Sequence, residues 1–393
     1  MTAATVPAFF VTAAAIRNFV FLLAVLAMNY TLSRPSPVDV LFLVAAALSL
    51  FTGQRLRSPF FVLFSILVLW VAAFLFASLP FFDDPEVRSE ALKKTFVVTL
   101  GLIGCYVSSS WPARSWVRFF KIYVLSATIA AGLGTFGFFA RIEALTWDSR
   151  ARGFIDDPNM YGSFLLPAIL FCIYLINYRQ GRKVFLLPAL LILLVGVLLS
   201  FSRAASVALI LSAGAYVVFL NRAHFGRLLA QVAVGCVFLA MLFVAAFAIS
   251  PTFAKKFTER ATFAASYDHA HGGRYGRYAP AVPWRVENPP GLGFLQQELV
   301  FEEPIHNIFL SSFLNYGWLG GFSWLALFLL SLFVGVYSYR RSSNPVAVVL
   351  LLAFLAPVMC ASLHEGEHWR HLWLMTGLLW GFAGTTSRDN ILA

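Results

Sequence analysis

A helix needs roughly 20 apolar residues to cross a bilayer, and about twelve continuous apolar runs alternate with short polar breaks along this chain. That pattern constrains the fold more than any other feature of the sequence. Strands of a membrane barrel would alternate apolar and polar residues in period two, and these runs do not. The sequence predicts an all-α fold, a polytopic transmembrane helical bundle. Its spans are expected at about 11–31, 39–53, 59–80, 95–110, 119–140, 160–177, 184–200, 204–221, 228–249, 306–338, 345–363 and 371–386. Hydrophobic residues fill 60% of the 393 positions and charged ones 12%, which excludes a set of soluble domains. Residues 1–30 have neither the short apolar core nor the small-residue cleavage site of a removable signal, so they are expected to remain as the first helix. Four regions follow: N-terminal helices (1–140), central helices (141–249), a long loop (250–305) and C-terminal helices (306–393). Cys105, Cys172, Cys236 and Cys360 all fall inside apolar runs, leaving neither a CxxC pair nor a disulfide framework.

A net charge of +11 raises the question of an anionic partner, and the placement of the charges answers it. An even number of spans puts both termini on one side. That side takes about half of the 29 basic residues, Arg17, Arg55, Arg57, Arg340 and Arg341 among them, with a single acid, Asp389. Nearly all of the 18 acidic residues lie opposite. With the long 250–305 segment set aside, the basic excess marks the terminal side as cytoplasmic. The excess is a topology signal and calls for no nucleic acid.

The same topology gathers every histidine except His224 on the outer face. The long loop is there too, and a loop of that length among short connections is expected to be functional. It opens with SPTFAKKFTERATFAAS, which has amphipathic helical periodicity, passes through the Gly-rich HGGRYGRY, and closes on NPPGLGF.

Several outer-face residues are costly to keep there. Arg203 sits in SFSRAAS, where two spans meet with almost no loop, so its side chain is expected to lie along the bundle among small residues. A guanidinium so placed needs an anion, either a distant acid such as Asp156 or a ligand. Arg274 and Arg277 lie in HGGRYGRY; the planar fork of arginine matches phosphate oxygens, although a solvated basic loop is the plainer reading, and Arg277 is expected to be the more tolerant of the two. His306 opens the tenth span, and helical spacing puts it above Leu310, Phe313, Gly317 and Gly320, where the glycines would admit a neighbouring helix. Its ordinary pKa near 6.5 suits proton transfer. HEGEH at 364–368 has the HExxH spacing of zincins and His371 extends the same face, but Gly366 interrupts the segment and an apolar span begins almost at once. We expect no metal there. The segment instead reads as a polar cluster in which Glu367 reaches Arg370 and His371 at i+3 and i+4.

Taken together these segments resemble the O-antigen ligase and polysaccharide polymerase superfamily of bacterial inner-membrane glycosyltransferases. The most specific likeness is His306–Asn307, nine residues, Gly317, two residues, then Gly320. RGFIDDPNMYG, which contains Arg152, Asp157 and Asn159, resembles a family segment, as do SRAAS, GGRY and PPGLGF, all in the same order. The likeness covers about 150–385; many relatives carry an acid where this chain has Asn315.

The resemblance implies a GT-C-like bundle with a partly helical periplasmic loop and an active site on the periplasmic side of the bacterial inner membrane. It implies transfer of a glycan from undecaprenyl diphosphate to the hydroxyl of a glycolipid or glycan acceptor, without a cofactor. His306 would be the general base, Arg203 and Arg274 would bind the diphosphate, and Arg152, Asp157, Asn159, Arg277, Asn307, Glu367 and Arg370 would support the site. Ligase is preferred to polymerase on the histidine spacing and the single compact loop. A transporter or flippase would more often show helix-breaking or charged residues at mid-membrane depth and related halves. A membrane metalloprotease would need HEGEH to bind zinc.

Overall fold

In the computed structural model, residues 8–33, 35–261, 276–301 and 304–385 are described; Arg274, with the rest of 262–275, lies outside them. The fold is all-α, and each apolar run forms a helix. These are α1 (Ala8–Ala27), α2 (Pro37–Ser49), α3 (Ser58–Ser78), α4 (Pro85–Ser108), α5 (Ala113–Ala140), α6 (Pro158–Asn177), α7 (Lys183–Leu199), α8 (Arg203–Leu220) and α9 (Phe225–Ile249). The long loop adds α10 (Pro251–Ala261) and α11 (Tyr278–Glu287), and α12 (Ile308–Ser342), α13 (Pro345–Ala361) and α14 (Arg370–Ala383) close the chain. Among the described residues seven helices, α3 to α6, α8, α9 and α12, are long and apolar enough to cross a membrane; the Ala13–Ala27 stretch of α1, and α2, α7 and α13, are apolar but shorter.

Helix starts follow capping chemistry. Asp84, Asp157 and Asn344 each accept the second backbone N–H of the helix they precede, and each stands before a proline at the first helical position. The expected fourth span began at 95, but α4 begins ten residues earlier, because Asp84–Pro85 is a strong start and the charged first turns still wind as helix.

Side-chain contacts sort into two ends of the bundle. At one, buried Arg17 donates to Gln54 Oε1 at 2.8 Å, and Arg57 donates to the carbonyl of Gly384. At the other lie the starts of α2, α4, α6, α8, α12 and α14. There a two-residue hairpin pairs Thr146 with Ala151 and Trp147 with Arg150. Its turn residues, Asp148 and Ser149, both have positive φ, as a tight hairpin matching strand twist requires.

The amphipathic helix expected at the start of the loop is α10. Its Phe253 is buried, and Lys256 and Arg260 reach Asp148 of the hairpin at 2.8 and 3.4 Å. Burial works against the Asp148 carboxylate, but the Lys256 hydrogen bond and the charges of Lys256, Arg260 and Arg150 outweigh it and hold its pKa below the ordinary carboxylate value. By contrast α9 has no buried residue along its apolar window.

Candidate functional site

The end of the bundle that holds the helix starts contains a cavity of about 620 Å³. Asp39 of α2, Glu90, Lys93, Lys94 and Phe96 of α4, Phe294 and Gln297 of the loop, Ser311 and Asn315 of α12, and Glu365, Glu367, His368 and Arg370 ahead of and at the start of α14 all line it. A floor of aromatic rings supports it: Tyr316 lies edge-on to Trp70, with ring centroids 5.4 Å apart, and Trp70 meets Trp373 at 5.3 Å.

Two ion pairs, each with a buried carboxylate and a half-buried cation, tie the wall together. Lys94 donates to Glu367 Oε2 at 2.7 Å and to the Tyr316 hydroxyl at 2.6 Å. Tyr316 donates in turn to Glu367, and Ser311 Oγ donates to Glu367 Oε1 at 3.1 Å. Both carboxylate oxygens of Glu367, 3% exposed, therefore have donors. Arg370 grips Asp39 with Nε at 2.7 Å and Nη2 at 2.8 Å, and Asp39 also accepts the backbone N–H of Ser36 at 2.9 Å. Asp39 thus closes the first turn of α2 while neutralising Arg370.

These pairings correct the expectation that Glu367 would hold Arg370 and His371. Gly366–His368 is a single 3-10 turn and Trp369 is extended, so the i+3 and i+4 positions do not share a helical face. His371 is buried and lies 2.9 Å from Ser163 Oγ instead. The same break leaves His364 and His368 off a regular helix, so the HExxH spacing does not produce zincin geometry. Among the described residues no group of three or more His, Cys, Asp or Glu could hold a metal ion.

His306 is not inside a helix. Asn307 is the N-cap of α12, accepting the N–H groups of Phe309 and Leu310 at 3.0 Å each, so the helix starts at Ile308 and His306 precedes it. The stripe expected to run from His306 to Gly320 is also cut, because Gly317, at φ +64° and ψ −165°, breaks α12. The atoms nearest an added Cβ at Gly317 belong to Pro289 and Pro290 and not to a neighbouring helix. The PPGLG segment pairs with the break: Leu292 and Gly293 donate to the carbonyls of Leu314 and Asn315 at 2.8 Å, and Trp318 donates to Pro289 O at 2.9 Å. The backbone groups released by the break are thereby paired again. Gly320, the other glycine expected to admit a neighbour, faces its own helix, where an added Cβ would strike Tyr316 Cβ.

The loop returns to His306 a second way. Tyr278 donates to the His306 carbonyl at 2.8 Å, and Arg277 donates to Pro304 O at 3.4 Å. Arg277 is 5% exposed, so it is built into this corner and the tolerance expected of it does not fit its burial. The His306 ring lies tilted beside that of His364, 6.5 Å between centroids. The pair stands beside the cavity, which Pro304 and Glu365 line.

The remaining candidates are spread along the same end. Arg203 is the first residue of α8, half-buried and next to the N-cap Ser202. Arg152 donates to the Asp156 carbonyl at 3.1 Å, Asp157 is the cap of α6, and Asn159 accepts from Arg150 at 2.8 Å. Arg150 was not singled out from the sequence, yet it is 6% exposed and also reaches the Ser200 carbonyl at 2.8 Å, joining the hairpin, α6 and the α7–α8 turn. Lys94, Tyr316 and Asp39 were missed as well. Only Asp39 carried a signal, an acid at the edge of the apolar run VDVLFLV, since charge within a span is rarely idle. No protein-family model and no curated protein matches the chain.

Proposed function

We propose that the protein is a membrane glycosyltransferase of the O-antigen ligase type, crossing the bacterial inner membrane twelve times with both termini cytoplasmic and the cavity end periplasmic. The observation that carries this reading is the neighbourhood of the cavity. A pocket walled by carboxylates, amides and aromatic rings sits beside a histidine held just ahead of a capped helix. Leu43, 55% exposed, belongs both to the cavity lining and to the apolar outside of α2. A lipid-linked donor entering sideways would pass such a residue.

In the proposed reaction the acceptor hydroxyl oxygen bonds to the anomeric carbon of the donor sugar. The bond from that carbon to the diphosphate oxygen breaks, and its electron pair leaves with undecaprenyl diphosphate. His306 takes the hydroxyl proton. Arg203 and Arg274 hold the diphosphate by charge-assisted hydrogen bonds and stabilise the charge it gains. Arg277 and Tyr278 fix the backbone on which His306 sits, and Asn307 sets where α12 begins.

Reconstitution tests the reading. The purified protein in lipid, given a glycan on undecaprenyl diphosphate and a glycolipid acceptor, should yield the joined glycolipid and free undecaprenyl diphosphate, with or without a chelator. Transport of the lipid-linked glycan across the bilayer without any new glycosidic bond would identify a flippase instead.

A further inference from the structure

One amide atom of each of two cavity-lining residues lacks a partner among the described residues. Gln297, 4% exposed, accepts the backbone N–H of Ile305 on Oε1 at 2.8 Å, while its Nε2 has no partner among the described residues. Asn315 Oδ1 is also buried without one. One atom needs an acceptor and the other a donor, and leaving either unmet in a buried wall is costly. A hydroxyl group is both donor and acceptor. An ionised diphosphate ester offers acceptors only, so it can satisfy Gln297 and not Asn315.

The charges of the wall point the same way. Lys93 is paired with Glu90 at 2.7 Å, Lys94 with Glu367 at 2.7 Å, and Arg370 with both oxygens of Asp39. Each of these cations is already neutralised by a carboxylate, so it offers a diphosphate little net charge. Asp156 and Glu365 add acidic groups, so that the described lining residues carry five carboxylates against three Lys or Arg. Phe96 and Phe294 give apolar ring surface among the polar groups, and the volume lies within the range of about 300–1,000 Å³ usual for small-molecule sites.

We propose that this cavity is a carbohydrate subsite that binds sugar rings through their hydroxyls and excludes the diphosphate, which is held elsewhere. The proposal rests on the glycosyltransferase reading above. The sugar comes either from the donor glycan or from the acceptor, since both present the same hydroxyl chemistry.

The test measures binding to the full chain in lipid nanodiscs. Three probes are used: undecaprenyl diphosphate, the same lipid bearing N-acetylglucosamine, and the oligosaccharide freed by mild acid from the source cell's surface glycolipid. Gln297→Met and Asn315→Leu keep side-chain volume and remove the amide. Each should weaken binding of a sugar-bearing probe about tenfold and leave undecaprenyl diphosphate binding at the parent value, which also verifies the fold. Loss confined to the oligosaccharide assigns the cavity to the acceptor; loss confined to the sugar-bearing lipid assigns it to the donor. If undecaprenyl diphosphate binding falls in parallel in both variants, the cavity is the diphosphate site and the proposal fails. It fails too if both variants bind both sugars like the parent, and in either case the glycosyltransferase reading survives. A parent protein that binds none of the three probes overturns both.

Discussion

Lys94 Nζ and Glu367 Oε2 lie 2.7 Å apart although 273 positions separate them in sequence. Lys94 comes from the third turn of α4, and Glu367 from the 3-10 turn before α14. Because Tyr316 of α12 bonds to both, three separate parts of the chain meet in one polar knot above an aromatic floor. Removing one partner of such a pair leaves a buried charge uncompensated, which typically costs about 3–5 kcal/mol. Lys94→Met should therefore lower stability in detergent by about 3 kcal/mol. Lys94→Met combined with Glu367→Gln should recover most of that loss. Additive losses in a double-mutant cycle, read by denaturant or thermal unfolding, would show that the two residues do not act as a pair.

His306→Ala should reduce transfer by about 100- to 10,000-fold, the usual effect of removing a general base, with the protein still folded and inserted. The backbone of His306 is held by Tyr278 and by the cap at Asn307, and neither contact uses the imidazole. Near-parental transfer by a well-expressed variant would remove His306 from the mechanism.

Arg203→Lys and Arg274→Lys should both weaken donor binding although charge is kept, because an ammonium cannot reproduce a two-pronged grip on a diphosphate. Arg277→Lys should act differently. Its guanidinium is buried and hydrogen-bonded to the chain just before His306, so the substitution should lower kcat while leaving affinity for undecaprenyl diphosphate unchanged. A fall in that affinity equal to the one in Arg203→Lys would place Arg277 on the ligand.

Gly317 has a backbone conformation that side chains rarely adopt, at a cost of about 1–3 kcal/mol, and an added Cβ would strike Pro289 O. Gly317→Ala should destabilise the protein by at least about 2 kcal/mol and make Leu292 and Gly293 amides exchange faster. Gly235→Ala in α9, where nothing lies within 4 Å, should be neutral or stabilising by up to about 1 kcal/mol. Equal unfolding midpoints for the two variants would contradict the description of the α12 break.

Ligase and polymerase differ in which product disappears. Deleting the gene for a ligase should leave long chains on undecaprenyl diphosphate and a bare acceptor. Losing a polymerase should leave single repeat units, some passed to the acceptor. Sizing the glycans on carrier and acceptor distinguishes them, and single-unit products on the acceptor would favour the polymerase.

Helix positions were legible in the sequence because apolar length and capping residues are local signals. The runs at 160–177, 184–200 and 204–221 are found as helices within a few residues of those limits. Pairings across the bundle were not legible. Nothing near Lys94 in sequence indicates Glu367, and nothing near Asp39 indicates Arg370; each becomes a partner only after helices far apart in sequence pack together. The stripe below His306 misled for a specific reason. Gly317 fits helical spacing as well as any small residue, and its positive φ is imposed by PPGLG, which inserts from a different part of the chain.

That insertion bears on how the protein is made. The residues of α12 beyond Gly317 are alone enough to cross a bilayer, which takes about 20, and unpaired carbonyls at the break would be expensive in hydrocarbon. The strip that satisfies them, Pro289–Gly293, precedes α12 in the chain. During synthesis it therefore emerges ahead of the break, so the helix is mended from behind by a segment that is made first.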